Sequence, residues 1–195
     1  MRTVGLIVLI AAINSGETLL LPVADLSIPR AVLAAHWAHR DAYAVLVARL
    51  AKELRAVEKN AAAEAGVKTL LTGDALKGQE VSEKSDSDAV VVYDRKILEE
   101  TKMTDSITMV TVRVTNVSPL PIGVSLSVDE EKTRAEGEHL RYRLVLTPSG
   151  WRISQVYSYQ AWRSENDENL RWSPLYSDDG AGKLYMYVHI NAFSN

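Results

Sequence analysis

Cysteine is absent from the 195-residue chain. Disulfides, thiolate catalysis, zinc–cysteine centres and lipidation on cysteine are therefore excluded, and the compartment must be read from other features. An excess of positive charge is lacking as well: 22 Lys and Arg stand against 25 Asp and Glu, for a net charge of −3. Nothing in that balance supplies a basic footprint for phosphates, so neither a nucleic acid nor an anionic membrane surface is expected as a partner. The chain also lacks a long apolar run. Val4 to Ile13 is ten residues, where a transmembrane helix needs about 20, so no transmembrane span is expected. Internal repeats and low-complexity segments are missing. So are a phosphate-cradling glycine loop, a serine nucleophile elbow and a zinc-binding helix. No cofactor and no metal are expected.

What is present is an ordinary globular composition, 47% hydrophobic and 24% charged, enough for one domain with a proper core. The first residues, "MRTVGLIVLIAAINSG", suit the apolar region of a short signal peptide, although Arg2 is the lone positive flank and no clean cleavage site follows. A buried element of the mature fold is the other reading. Residues 1–28 are thus a signal peptide or an N-terminal extension and connector, and the protein is exported (periplasmic or secreted) or cytoplasmic accordingly.

Pro29 stands where a first-turn proline is tolerated, with Ser27 as the expected cap. From Ala31 to about Ala65 the composition is that of a helix. Tyr43, Leu46, Val47, Leu50, Leu54 and Val57 recur at three- and four-residue spacing as one apolar stripe. The span reads as one long helix or as two broken near Asp41, with Gly66 as the stop. Gly73 to Asp88 is polar, with room for a short helix before a serine–aspartate loop.

The periodicity then changes from helical to two-residue. Ala89–Tyr93 and Ile107–Thr115 are β-branched runs. Ile122, Val124, Leu126 and Val128 share a face, "DEEKTRAEGE" (129–138) reads as an exposed loop, and Leu140, Tyr142, Leu144 and Leu146 alternate again. After the turn "TPSG", Trp151, Ile153, Tyr157 and Tyr159 continue the pattern. Strands joined by short turns make an antiparallel meander with one covered face. The class is α+β: an N-terminal helical segment packed on an antiparallel sheet, over residues 29–160. Residues 161–195 form a C-terminal extension, in which "KLYMYVHI" (183–190) is a candidate added edge strand.

The order of helix, polar stretch and meander, with "VVVYDRKILEETKMTDSITMVTVRV" and "YRLVLTPSGWRISQVYSY", resembles the nuclear transport factor 2-like superfamily. That group includes ketosteroid isomerases, scytalone dehydratase and polyketide cyclases. The resemblance covers roughly residues 30–160. It implies a cone-like α+β barrel, a strongly curved sheet wrapped around the helices with a cavity at its wide end, and Gly123 as a candidate bend. It also implies, for enzymatic members, a cavity carboxylate or His–Asp pair assisted by tyrosine hydroxyls.

Two groups of residues are candidates for a site. His36 and His39 lie three apart in "HWAHRD" and continue the apolar stripe backward, so both are expected to face the sheet. They are either a general base in a cavity or hydrogen-bonded histidines at the rim of the core. No further histidine stands at metal-ligand spacing. Asp41, the acid nearest to them, is the candidate catalytic partner of a cavity histidine, although two positions past His39 place it on a different face; Asp94 and Asp105 lie next to turns. None matches a catalytic position of the superfamily. The second group is aromatic: Tyr43, Tyr157, Tyr159, Trp162, Tyr185 and Tyr187, either a platform or rim for a ligand or packing for the core. Tyr157 and Tyr159 are expected on the face of Trp151 and Ile153. The expected function is an exported domain that binds a small apolar or aromatic-stacking ligand or a protein partner, with homodimerisation through the sheet as one arrangement. The alternative is a cavity isomerase, dehydratase or cyclase using a helix histidine as base. An immunity or inhibitor role is a third reading.

Overall fold

The computed structural model describes residues 24–50, 66–82, 91–161, 163, 166–178 and 184–186. The N-terminal apolar run, residues 51–65 of the expected long helix, Trp162, Tyr187 and His189 lie outside the described residues, as do the side chains of Tyr43 and Tyr185.

Helix α1 (Pro29–Leu50) runs through Asp41 without a break. Proline at its first position costs nothing, because that N–H has no helical acceptor. Ser27 does not cap it. Its hydroxyl and its amide both donate to Asp25 (2.6 and 2.9 Å), and the carbonyl of Ile28 accepts the first helical bonds. Gly66 is not a stop either, since residues 66–68 are helical. Helix α2 (Gly73–Ser82) follows a short stretch in which Leu71 bridges in parallel to Ile153.

Four long strands make the meander: β1 (Tyr93–Thr104), β2 (Ile107–Asn116), β3 (Glu138–Thr147) and β4 (Gly150–Tyr159). The short β5 (Trp172–Pro174) completes a five-stranded antiparallel sheet in the order β1-β2-β3-β4-β5. β6 (Tyr176–Asp178) and β7 (Leu184–Met186) form a separate two-stranded sheet. The fold is α+β with a five-stranded antiparallel sheet that does not close on itself.

Three expectations fail in the connection between β2 and β3. The alternation from Ile122 to Val128 is not a strand. Ile122 is fully exposed, and Val124 is half-exposed, because no strand among the described residues pairs with this stretch and an alternating pattern alone buries nothing. Gly123 sits in a turn at φ 84° rather than at a bend in the sheet. The "exposed loop" that follows is helix α3 (Val128–Glu136). Ser127 caps it reciprocally: its hydroxyl accepts from the Glu130 amide (3.3 Å), and the Glu130 carboxylate accepts from the Ser127 amide (2.7 Å). The Ser127 amide and, at 2.8 Å, the Ser127 hydroxyl donate to the Glu130 carboxylate and hold its carboxyl below the usual pKa. Asp94, expected beside a turn, lies inside β1, opposite Thr115.

The core sits between α1 and one sheet face. Val32, Leu33 and Ala35 of α1 meet Val110 and Val112 of β2, Tyr142 and Leu144 of β3, and Trp151, Ile153 and Val156 of β4. Leu70, Leu71 and Ala75 close the rim along β4. The outer edge of β4 is fully used: Trp151 N–H donates to Leu26 O, Ile153 N–H to Leu70 O, and its last residues pair with β5. Gly150 permits the first of these contacts. It adopts φ 101°, and a Cβ there would stand 2.6 Å from the Leu26 side chain and 2.7 Å from its carbonyl oxygen.

Candidate functional site

The strand register separates the candidate residues into two groups on opposite sides of the sheet. On β4, Ile153 opposes Leu144 but Gln155 opposes Arg143, so Ser154 is an inserted residue, a β-bulge. Before the bulge, Trp151 and Ile153 share the covered face. After it, that face continues with Val156 (opposite Tyr142) and Ser158 (opposite Leu140). Tyr157 and Tyr159 therefore lie on the other face. The expected alternation fails here because one extra residue exchanges the two faces for everything beyond it.

On the covered side, His36 and His39 are both buried, at 4% and 8% exposure, as the backward extension of the stripe predicts. His39 Nδ1 lies 3.0 Å from the carbonyl oxygen of Gly66. A carbonyl only accepts, so Nδ1 carries the proton and the ring is tied to the backbone. His36 has a buried Nδ1 with no hydrogen-bond partner. Burial lowers its pKa to about 3, with the charges of Arg40, His39 and Arg95 adding to the effect. Such a ring stays neutral throughout the physiological range.

Asp41 is held by a residue from the sheet. Arg95 on β1 grips both of its oxygens at 2.7 Å. The guanidinium is stacked near the rings of Tyr93 (5.3 Å) and Trp37 (5.8 Å). Trp37 in turn donates to the Tyr142 hydroxyl (3.3 Å), edge-on to its ring. A polar ladder thus clips α1 to β1 and β3, with the Asp41 carboxylate as its outer end. Sequence reading identified Asp41 but not Arg95, since a contact across 54 positions leaves no local signal.

The other side of the sheet holds Arg113, Arg141, Arg143 and Arg152, all half-buried, from three adjacent strands. Tyr157 opposes Arg141, and the Arg141 guanidinium lies 4.1 Å from the centre of the Trp172 ring. Tyr159 packs edge-on against Trp172 (5.1 Å) and His139 (6.0 Å), and its hydroxyl accepts from Arg171 at 2.7 Å. Arg141 also donates to Thr111, Arg143 to Ser154, and Arg152 to the Trp151 carbonyl. Among the described residues, none of these four arginines forms a salt bridge. This arginine face was missed in the sequence because the charges balance overall. The signal was the alternation of "LRYRL" (140–144), which puts both arginines on the face opposite the core residues.

A pocket of about 290 Å³ lies elsewhere, between the end of β2, the following loop and α3; it includes Asn116, Leu126 and Arg134 and none of the candidate residues. Among the described residues no group of three His, Asp or Glu is placed to hold a metal, and no helix is long and apolar enough to cross a membrane. Comparison with family models, curated proteins and solved structures returned no match for this chain.

Proposed function

We propose that the protein is a binding domain without a catalytic task, and that its contact surface is the arginine face around Arg141, Tyr157, Tyr159 and Trp172. The observation that carries this reading is the set of four half-buried arginines that have no ion pair among the described residues and lie beside three aromatic rings. Guanidinium groups match carboxylates with two parallel hydrogen bonds, and tyrosine, tryptophan and arginine are the side chains enriched at recognition surfaces. The partner is a protein segment or small ligand with carboxylates beside an apolar or aromatic body. Kinship with the nuclear transport factor 2-like superfamily and export belong to the same proposal. The helix-then-meander order supports the first, and the apolar run Val4–Ile13 supports the second. A strongly curved sheet is also part of it, because bulges like that at Ser154 are the usual devices that bend a sheet.

The test is a backbone amide NMR titration of the full chain against panels of acidic and neutral peptides, glycans and lipids. Shifts are expected to cluster at Arg141, Tyr157 and Tyr159, and Arg141→Ala is expected to abolish them. Binding that maps to α1, or no binding across the panels, would remove this reading.

A second reading, a cavity isomerase, dehydratase or cyclase, has one observation in its favour: the buried, unpartnered Nδ1 of His36. The same burial weighs against it, because a base serves best with a pKa near the working pH and that of His36 is lowered to about 3.

A further inference from the structure

The edge strand β1 is unusual for a free edge. It is 12 residues long, and only Arg95 and Ile97 are partly buried. Its inner side pairs with β2, while no residue of β1 forms a backbone hydrogen bond on its outer side within the described residues. Long exposed edges are templates for another strand, and natural proteins shorten them, cover them or blunt them with charges and bulges; β1 keeps its full length, and its charges are of both signs. The outward surface carries Tyr93, Leu98 and Met103, at 43%, 47% and 61% exposure.

The charges along β1 specify which strand fits. We propose that the protein forms a two-fold dimer in which β1 pairs antiparallel with β1 of a second copy, with Lys96 opposite Glu99. Residues opposed across an antiparallel pair must share a sheet face. In an unbroken strand, positions three apart lie on opposite faces, and Lys96 could not oppose Glu99. The β-bulge between Ile97 and Glu99 inserts Leu98 and restores the match. Lys96 (opposite Arg113) and Glu99 (opposite Thr111) both lie on the arginine face, while Arg95 (opposite Val114) and Glu100 (opposite Val110) both lie on the covered face.

With the axis between Ile97 and Leu98, Lys96 meets Glu99 twice by symmetry, while Arg95 and Glu100, which also fall opposite each other, are already paired within the chain to Asp41 and Arg30. Sliding the pair by two positions one way opposes Arg95 to Lys102, and the other way opposes Asp94 to Glu99. Neither shift opposes Lys96 to Glu99, and the second brings two carboxylates together, so the central register is favoured; in the first, Arg95 and Lys102 are each already paired, to Asp41 and Asp105. Among the described residues, Lys96 forms no salt bridge and Glu99 accepts only from the Thr101 hydroxyl, so both are available. The dimer joins two five-stranded sheets edge to edge and makes the two arginine faces continuous. It rests on β1 alone and holds whether or not the arginine face binds a partner.

Sedimentation equilibrium of the full-length protein, at low salt and up to about 100 μM, tests this. Wild type is expected to dimerise. Lys96→Glu and Glu99→Lys each place like charges at both symmetric contacts, and each is expected to weaken self-association about tenfold or more, a change of about 1.4 kcal/mol. Mixed in equal amounts, the two variants restore both contacts and are expected to form a heterodimer of near wild-type affinity. Both side chains are exposed, so circular dichroism should show unchanged folding. A monomeric wild type, variants that dimerise like wild type, or a mixture that fails to recover would each overturn the proposal.

Discussion

The two faces of the five-stranded sheet are built from alternate residues of the same strands, yet they have opposite chemistry. The face under α1 carries Val110, Val112, Leu144 and Ile153, each at 0% exposure. The other carries Arg113, Arg141, Arg143 and Arg152, half-buried with Tyr157 and Tyr159 beside them. Burial of aliphatic side chains supplies stability without directional demands. Guanidinium groups contribute little to folding when they have no carboxylate partner, but they are suited to recognition. This sheet keeps its stability on one side and leaves its unused polar capacity on the other.

Damage to the covered face should give the largest effect. Ile153→Ala removes a fully buried side chain at the centre of the core and is expected to destabilise by about 2–5 kcal/mol, measured by urea unfolding. A loss under about 1 kcal/mol would show that the two faces contribute more evenly than described.

The second test uses pH on the same face. His36 is neutral when folded, with its pKa lowered to about 3, while the unfolded ring titrates near 6.5. Below that value the unfolded chain takes up a proton that the native state refuses. The contribution of His36 is thus fully present above pH 6.5 and is lost as pH falls toward 3, at up to about 1.4 kcal/mol per unit. His36→Leu should flatten that part of the stability profile. An unchanged slope would mean that His36 is protonated in the folded protein.

Gly150→Ala probes the β3–β4 turn that lets Leu26 close the rim of the covered face. A methyl group there meets the Leu26 backbone at a φ that L residues avoid, and a loss of about 1–3 kcal/mol is expected. Wild-type stability by calorimetry would mean that the close approach of Leu26 to residue 150 does not constrain the fold.

The smallest effect is expected on the arginine face. Arg141→Ala gives up stacking on Trp172 and a long hydrogen bond to Thr111 and should cost under about 1 kcal/mol. A larger loss in the same unfolding assay would assign Arg141 to the core rather than to recognition.

How much of this was legible depended on how local each signal was. Strands β2 to β4 were visible because apolar residues alternate within each. β1 was not, because an edge strand rich in Lys, Glu and Thr lacks that contrast. The stretch Ile122–Val128 shows the converse: good alternation with no strand to pair with. Helix α3 was missed although its capping box, Ser127 with Glu130, stood in the sequence, since the acidic run outweighed it as a loop signal. For the candidate site, the inward direction of His36 and His39 could be counted from the helical stripe. The attachment of Asp41 to Arg95 could not, because the two meet only when α1 lies across β1.

By itself, the sequence determined the α+β class, the helix-first order, most of the antiparallel meander and the burial of the two histidines. Each of these follows from periodicity along a continuous stretch of chain. Only the tertiary structure decided which face Tyr157 and Tyr159 occupy, what holds Asp41, and that four arginines from three strands gather opposite the core. Those features depend on register, and a single inserted residue at Ser154 or Leu98 exchanges the faces of everything beyond it. Register is settled between strands rather than within them.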